Sequence, residues 1–168
     1  MKPARDCSQF LVIDDDPGMA KFLATYLRQR GHTCDFLTDG FQTASWLAHR
    51  DCEVVIVDLK MPKVDGISLI SFIREINQTL PIIVFTGIGY DEKQMHAALR
   101  AGANGYVSKT LPIEQLYSVL ARVLTTYCQQ KLTAARQTSG PPPSSAPLEP
   151  PLEVGPLFSA RCTPHRRP

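Results

Sequence analysis

Four short stretches of the chain carry residue types that could do chemistry together. Asp14, Asp15 and Asp16 follow the apolar run FLVI, and Asp58 follows VVIV. Thr86 and Gly87 follow IIVF, and Lys109 follows GYVS. Carboxylates crowded into one place ionise together only at a cost unless a cation joins them. A ligand set of oxygens, with no His or Cys, suits a hard ion. Mg²⁺ in particular takes one or two carboxylates and leaves positions for water and phosphate oxygens. A lysine and a hydroxyl nearby complete a clamp for the oxygens of a phosphoryl group. The chain has no Gly-rich P-loop to cradle a nucleotide. The expected phosphoryl acceptor is therefore a carboxylate of the protein itself, and Asp58, alone at its strand end, is the natural nucleophile.

These residues need a scaffold that delivers strand ends to one place. The runs FLVI (10–13), HTCDFL (32–37), VVIV (54–57), IIVF (82–85) and GYV (105–107) read as strands. Between them lie helical spacings: Phe22, Leu23, Tyr26 and Leu27; Ala44, Trp46, Leu47 and Ala48; Ile67, Leu69, Ile70 and Ile73. DEKQMHAALRAG ends on a glycine stop, and Ile113, Leu116, Leu120, Val123, Leu124 and Tyr127 stripe a last helix. Continuously apolar strands alternating with helices predict an α/β fold, a doubly wound parallel sheet of five strands covered on both faces. In such a sheet ligands bind beyond the carboxyl ends of the strands, where all the residues above lie.

Neighbouring polar residues have plainer roles. Asp16 before Pro17 is a helix start, with the aspartate as cap and the proline at the first helical position. Thr38, Asp39 and Gly40 read as a turn and cap, Asp65–Gly66 as a turn before the third helix, and Met61–Pro62 as loop shape. The four histidines are scattered, and Trp46 packs a helix. The five cysteines form no CxxC pair and fit reduced thiols.

As a set, Asp14–Asp15 after FLVI, Asp58 in VDLKMPKVDG, Thr86 in FTG, and Tyr106 and Lys109 in GYVSK resemble the receiver domain of two-component response regulators, over about residues 8–128. The resemblance implies a flavodoxin-like, CheY-like three-layer sandwich. It implies that Asp58 accepts a phosphoryl group from a phosphohistidine on a sensor histidine kinase or histidine phosphotransfer protein. Asp14, Asp15, Asp58 and the backbone carbonyl of Lys60 would hold Mg²⁺. Thr86 and Lys109 would bind phosphoryl oxygens, and Gly87 would leave them room. Thr86 moving inward would open space for Tyr106, switching the face formed by the fourth helix, fifth strand and fifth helix. The side chain of Lys60 at the phosphoryl entrance and Ile88 as an apolar guard against water are further expectations. One departure is Thr110: many receivers follow the lysine with a proline whose peptide is cis. Without proline the cis form costs about 2.5–4 kcal/mol, so the isomer of Lys109–Thr110 stays open.

Two other readings compete. In a haloacid-dehalogenase-like Mg²⁺-dependent phosphatase, Asp14 would be the nucleophile and Asp16 the second aspartate. That family needs an acidic pair after the lysine, and downstream of Lys109 stand only Glu114, Glu149 and Glu153, far apart. A pure interaction module on a receiver fold has no need of Asp14, Asp15, Asp58, Thr86 and Lys109 together.

The chain has 168 residues and a formal net charge of +2, enough length for one well-packed domain. From Lys131 onward stand five basic against two acidic residues, and before it thirteen against fourteen. The nearly neutral body argues against direct nucleic-acid binding. Nine of the fourteen prolines follow Gln137. The expected organisation is thus a receiver over 8–130 and a disordered Pro-rich tail without an output domain over 131–168. Neither a signal peptide nor a membrane span is evident, which predicts a cytoplasmic protein. Its output would be contact with a protein target, with the long fifth helix as a candidate surface that could also pair two chains on phosphorylation.

Overall fold

A computed structural model of the chain describes residues 9–87 and 91–138, with side chains through Thr133. Ile88, the expected guard, and the proline-rich stretch after Gln137 apart from Thr138 lie outside the described residues. Five strands alternate with helices: β1 Gln9–Ile13, α1 Pro17–Gln29, β2 Thr33–Leu37, a 3-10 turn Gly40–Gln42, α2 Thr43–His49, β3 Val54–Val57, α3 Gly66–Ile76, β4 Ile82–Thr86, α4 Glu92–Ala101, β5 Gly105–Ser108 and α5 Ile113–Thr138. All strand pairs are parallel, in the order β2-β1-β3-β4-β5. This is the doubly wound α/β sandwich that the alternating pattern predicts.

The central strands are apolar along Phe10–Ile13, Val54–Val57 and Ile82–Phe85 because each one feeds two cores. Phe10, Val12, Val54, Ile56, Ile83 and Phe85 pack toward α1 and α5, whereas Leu11, Ile13, Val55, Val57, Ile82 and Val84 pack toward α3 and its neighbours. A period of two sends successive side chains to opposite faces. With both faces covered, no position on the central strands is left for a polar residue.

Register then levels the strand ends. Ile13 pairs with Val57, and Val57 with Val84. The Asp58 amide donates to the Ile13 carbonyl at 2.9 Å, which places Asp58 beside Asp14. On the other flank Thr86 pairs with Ser108, and the Lys109 amide donates to the Thr86 carbonyl at 2.8 Å. The sheet's reversal of strand order, between β1 and β3, lies directly under this group.

Two helices differ from the sequence expectation. In α1 the buried stripe is Ala20, Leu23, Ala24 and Leu27, while Phe22 is 52% exposed. The two alanines let the helix settle close to the sheet, which rotates Phe22 to the rim, against Tyr26. In α5 the helix continues to Thr138, so the boundary expected between residues 130 and 131 falls inside it. The stretch QQKLTAARQT is rich in good helix formers and has no proline or glycine. Gly140 and Pro141 are the first breakers, so the change in composition lagged behind the last buried side chain.

Opposite the strand ends that carry the aspartates, Arg74 of α3 ties three segments together. Its guanidinium donates to the carbonyls of Gly102, Leu80 and Asn77 and to the Asn104 side chain. Asn104 in turn accepts from the Ile82 amide at 2.9 Å, where β4 begins. Replacing Arg74 by alanine strands these carbonyls together and is expected to cost about 3 kcal/mol, given the worth of hydrogen bonds to charged groups. Urea denaturation checks it: the midpoint falls while the slope holds.

Candidate functional site

Asp14 and Asp58 are built alike. Each follows its strand directly, is nearly enclosed (2% and 5% exposed), and forms an Asx turn with the amide two residues on. Asp14 Oδ1 accepts from the Asp16 N–H at 3.1 Å, and Asp58 Oδ1 from the Lys60 N–H at 3.3 Å. Their other oxygens face each other across Lys109, whose Nζ lies 2.7 Å from Asp14 Oδ2 and 2.7 Å from Asp58 Oδ2. Asp15, half-buried, completes a cluster in which one carboxylate oxygen from each of the three lies within 4.8 Å of the others. Asp16 is not in it. Its side chain accepts from the Gly18 and Met19 amides at 2.8 and 3.3 Å, capping α1. The adjacent acids thus divide into two site groups and one cap, and the Asp14-x-Asp16 pair that a phosphatase needs is split.

Three carboxylates share one ammonium, which leaves a local charge near −2 when all are ionised. Burial pushes the Asp14 carboxyl above its ordinary range, against the pull of Lys109 and the Asp16 N–H. Burial would lower Lys109, but its hydrogen bonds and charge interactions with Asp14 and Asp58 outweigh that and raise it. The signs matter for stability. Lys109 contributes fully below the ordinary lysine value, and its contribution disappears only as pH rises through the raised one. Asp14 runs opposite to an ordinary paired carboxylate: ionising it costs more in the folded state. Its share of stability therefore declines as pH climbs from the ordinary carboxylate value to the raised one.

The remaining wall comes from β4 and β5. Thr86 is fully buried and, among the described residues, its Oγ1 has no hydrogen-bond partner, an orphan of the kind that normally costs a protein free energy. Among the described residues a Cβ at Gly87 would meet only Lys109 Cδ, at 3.8 Å, an ordinary contact. Tyr106, half-buried on β5 opposite Val84, has its phenol raised first by burial and then by the charges of Asp91 and Asp58. Lys60 is exposed and forms an antiparallel bridge with Asp65, closing the loop after Asp58. The peptide bonds of the described residues, Lys109–Thr110 included, are trans.

One residue of the site was read from sequence only as a turn. A Cβ at Gly66 would lie 2.5 Å from the Asp58 carbonyl oxygen and 2.5 Å from Leu59 Cα. The glycine lets the start of α3 press onto the backbone that carries Asp58. The available signal was its place just after the capping Asp65, whose carboxylate accepts from the Ser68 amide at 3.0 Å. Glycine there is poor for helix propensity, so packing has to justify it.

An all-oxygen donor set of crowded carboxylates at strand ends, beside a buried hydroxyl without a partner, fits a hard divalent cation and the oxygens of its ligand. The chain matches the response regulator receiver domain over residues 10–121. It belongs to that family. It is 32% identical to the chemotaxis protein CheY of Halobacterium salinarum over 117 residues, covering 70% of this chain and 97% of that one. The solved receiver domain of the Francisella response regulator 1452 superposes with a TM-score of 0.63 at 28% identity, over 73% of this chain and 98% of that one. The fold is also that of the response regulator TrrA of Thermotoga maritima, solved in complex with Mg²⁺ and BeF (TM-score 0.62, 24% identity, 69% and 98% coverage). The chain spans about half (48%) of the length of other curated relatives it matches. Receiver domains are signalling phosphoacceptors that work with histidine kinases. Among the described residues of this one, no helix is long and apolar enough to cross a membrane.

Proposed function

We propose that this receiver accepts a phosphoryl group on Asp58 from a phosphohistidine of a sensor histidine kinase or histidine phosphotransfer protein. The observation that carries the reading is Lys109 Nζ held 2.7 Å from both Asp14 and Asp58. A lysine so placed is charged, shielded and within one side-chain movement of any anion on Asp58. Asp14, Asp15 and Asp58, with the Lys60 carbonyl, are the groups to hold Mg²⁺. When bound, the ion supplies charge neutralisation and orientation for the phosphoryl oxygens. An Asp58 carboxylate oxygen forms the new bond to phosphorus, and the N–P bond breaks with its electron pair leaving on the imidazole. Lys109 and the Thr86 hydroxyl then bind phosphoryl oxygens. The open groove of about 230 Å³ beside Asp15, walled by Thr38, Asp39 and Met61–Val64, leaves this side of the site accessible to a donor.

Thr86 moving toward the phosphoryl group vacates space beside Tyr106, and the α4–β5–α5 face repacks to meet a protein target. Output through protein contact, pairing of phosphorylated chains and a cytoplasmic setting belong to the same reading. Wild-type protein incubated with acetyl phosphate and Mg²⁺ should gain one phosphoryl group, mapped by mass spectrometry to the peptide containing Asp58. Chelation should abolish it. An adduct on Asp14 with steady phosphate release would overturn the reading in favour of the phosphatase, and no adduct would favour the pure interaction module.

Mg²⁺ alone should also stabilise the fold. At a hundredfold excess over its dissociation constant the gain is about 2.7 kcal/mol. It should be largest at pH values where Asp14 is ionised, because the ion relieves the cost of that charge. Thermal melts with Mg²⁺ and with chelator, across pH, measure it.

A further inference from the structure

Lys109 reaches its two aspartates from a turn that has no proline to stiffen it. We propose that Ser108 and Thr110 form a hydroxyl bracket that fixes the direction of Lys109, making both of them positioning residues for the phosphoryl site. The inference rests on the receiver reading above and goes beyond it. Ser108 is buried, at 5% exposure, and its Oγ has two partners, both on Thr110. It lies 2.7 Å from Thr110 Oγ1 and accepts from the Thr110 N–H at 3.2 Å. Around this clip the backbone is pinned twice more. The Leu111 amide donates to the Ser108 carbonyl at 3.1 Å, and the Lys109 amide donates to Thr86 at 2.8 Å.

The bracket straddles the lysine, holding the residue before it to the residue after it. A lysine side chain forfeits rotamer entropy when fixed, and a free turn would let its ammonium drift into water. Holding Cα and Cβ still keeps Nζ between two acceptors only 2.7 Å away on either side. Phosphoryl positioning is sensitive to displacements of about 1 Å. Thr110 is exposed, so its hydroxyl has water available and still turns to Ser108. The N–H that a proline would lack serves as the bracket's second bond.

The test uses the full chain and four variants: Ser108→Ala, which removes both bonds; Thr110→Val, which removes one; Thr110→Ser, which keeps the hydroxyl; and Lys109→Gln, which identifies the Lys109 ammonium signal by its loss. The phosphorylation rate at saturating acetyl phosphate and Mg²⁺ should fall about tenfold in Ser108→Ala and about threefold in Thr110→Val, and recover in Thr110→Ser. The half-saturating donor concentration should stay fixed. The ¹H–¹⁵N signal of the Lys109 ammonium in unphosphorylated protein should broaden in the same order and return in Thr110→Ser. Wild-type rates and an unchanged ammonium signal in Thr110→Val, whose exposed position protects folding, would overturn the bracket. If wild type takes no phosphoryl group but the ammonium signal follows the predicted order, the receiver chemistry fails and the bracket stands.

Discussion

An Asp58→Asn variant given acetyl phosphate and Mg²⁺ should gain no phosphoryl group, where wild type should gain one. The substitution preserves shape, and the side-chain carbonyl can still accept from the Lys60 N–H. What it removes is the anionic oxygen. The neutral amide oxygen is a far weaker nucleophile toward phosphorus than a carboxylate oxygen, and the site loses one of its three carboxylates. No neighbour substitutes for it. Asp14 is 2% exposed with an oxygen already on Lys109, and Asp16 is bound to the end of α1. The fold should survive, since Lys109 keeps Asp14 as a partner. Intact-mass spectrometry, with circular dichroism as the folding control, decides the matter; an adduct on the variant at the wild-type rate would remove Asp58 from its role.

Gly66→Ala should be the most damaging conservative substitution near the site. The added methyl would lie 2.5 Å from both the Asp58 carbonyl oxygen and Leu59 Cα. Both obstacles are backbone, so no rotamer change relieves them. Either α3 lifts or the strand end bends. Overpacking of this kind costs about 3 kcal/mol, roughly a 10 °C drop in melting temperature for a domain of this size. Because the atoms displaced belong to Asp58 itself, phosphorylation should also slow at temperatures where the variant is fully folded. Gly87→Ala is the matched control. Its methyl finds only an ordinary 3.8 Å contact, so resting stability should change by less than about 0.5 kcal/mol. Calorimetry on the two variants separates close packing from the mere presence of a glycine.

The scaffold was legible because its signals are local. Apolar runs marked the strands, and the cap residues Asp16, Asp39, Asp65 and Asp91 sit where helix or turn starts require them. The grouping of Asp14, Asp15, Asp58 and Lys109 was legible for a different reason. In a parallel sheet every strand points its carboxyl end the same way, so polar residues after apolar runs converge. What stayed hidden depends on distances between elements. Phe22 shares a helical spacing with Leu23, Tyr26 and Leu27, but the face that meets the sheet is centred on Ala20, Leu23, Ala24 and Leu27, which leaves Phe22 outside. Arg74 carries no signal in the linear pattern, yet it gathers the Gly102 carbonyl and the Asn104 side chain from 28 and 30 positions away. The pressure of Gly66 on Asp58 and the link between Ser108 and Thr110 are contacts, and a linear pattern carries no contacts.

The length of α5 has a mechanical consequence. Its last buried side chain is Val123, and the helix runs on to Thr138, an extension of about 22 Å at 1.5 Å per residue. A rod gripped at the sheet and exposed from Cys128 to Thr133 works as a pointer. A tilt of about 10° where α5 meets the sheet moves the far tip by about 4 Å on this geometry. On the proposed reading, a small rearrangement beside Tyr106 would be multiplied along this helix into a change in its direction.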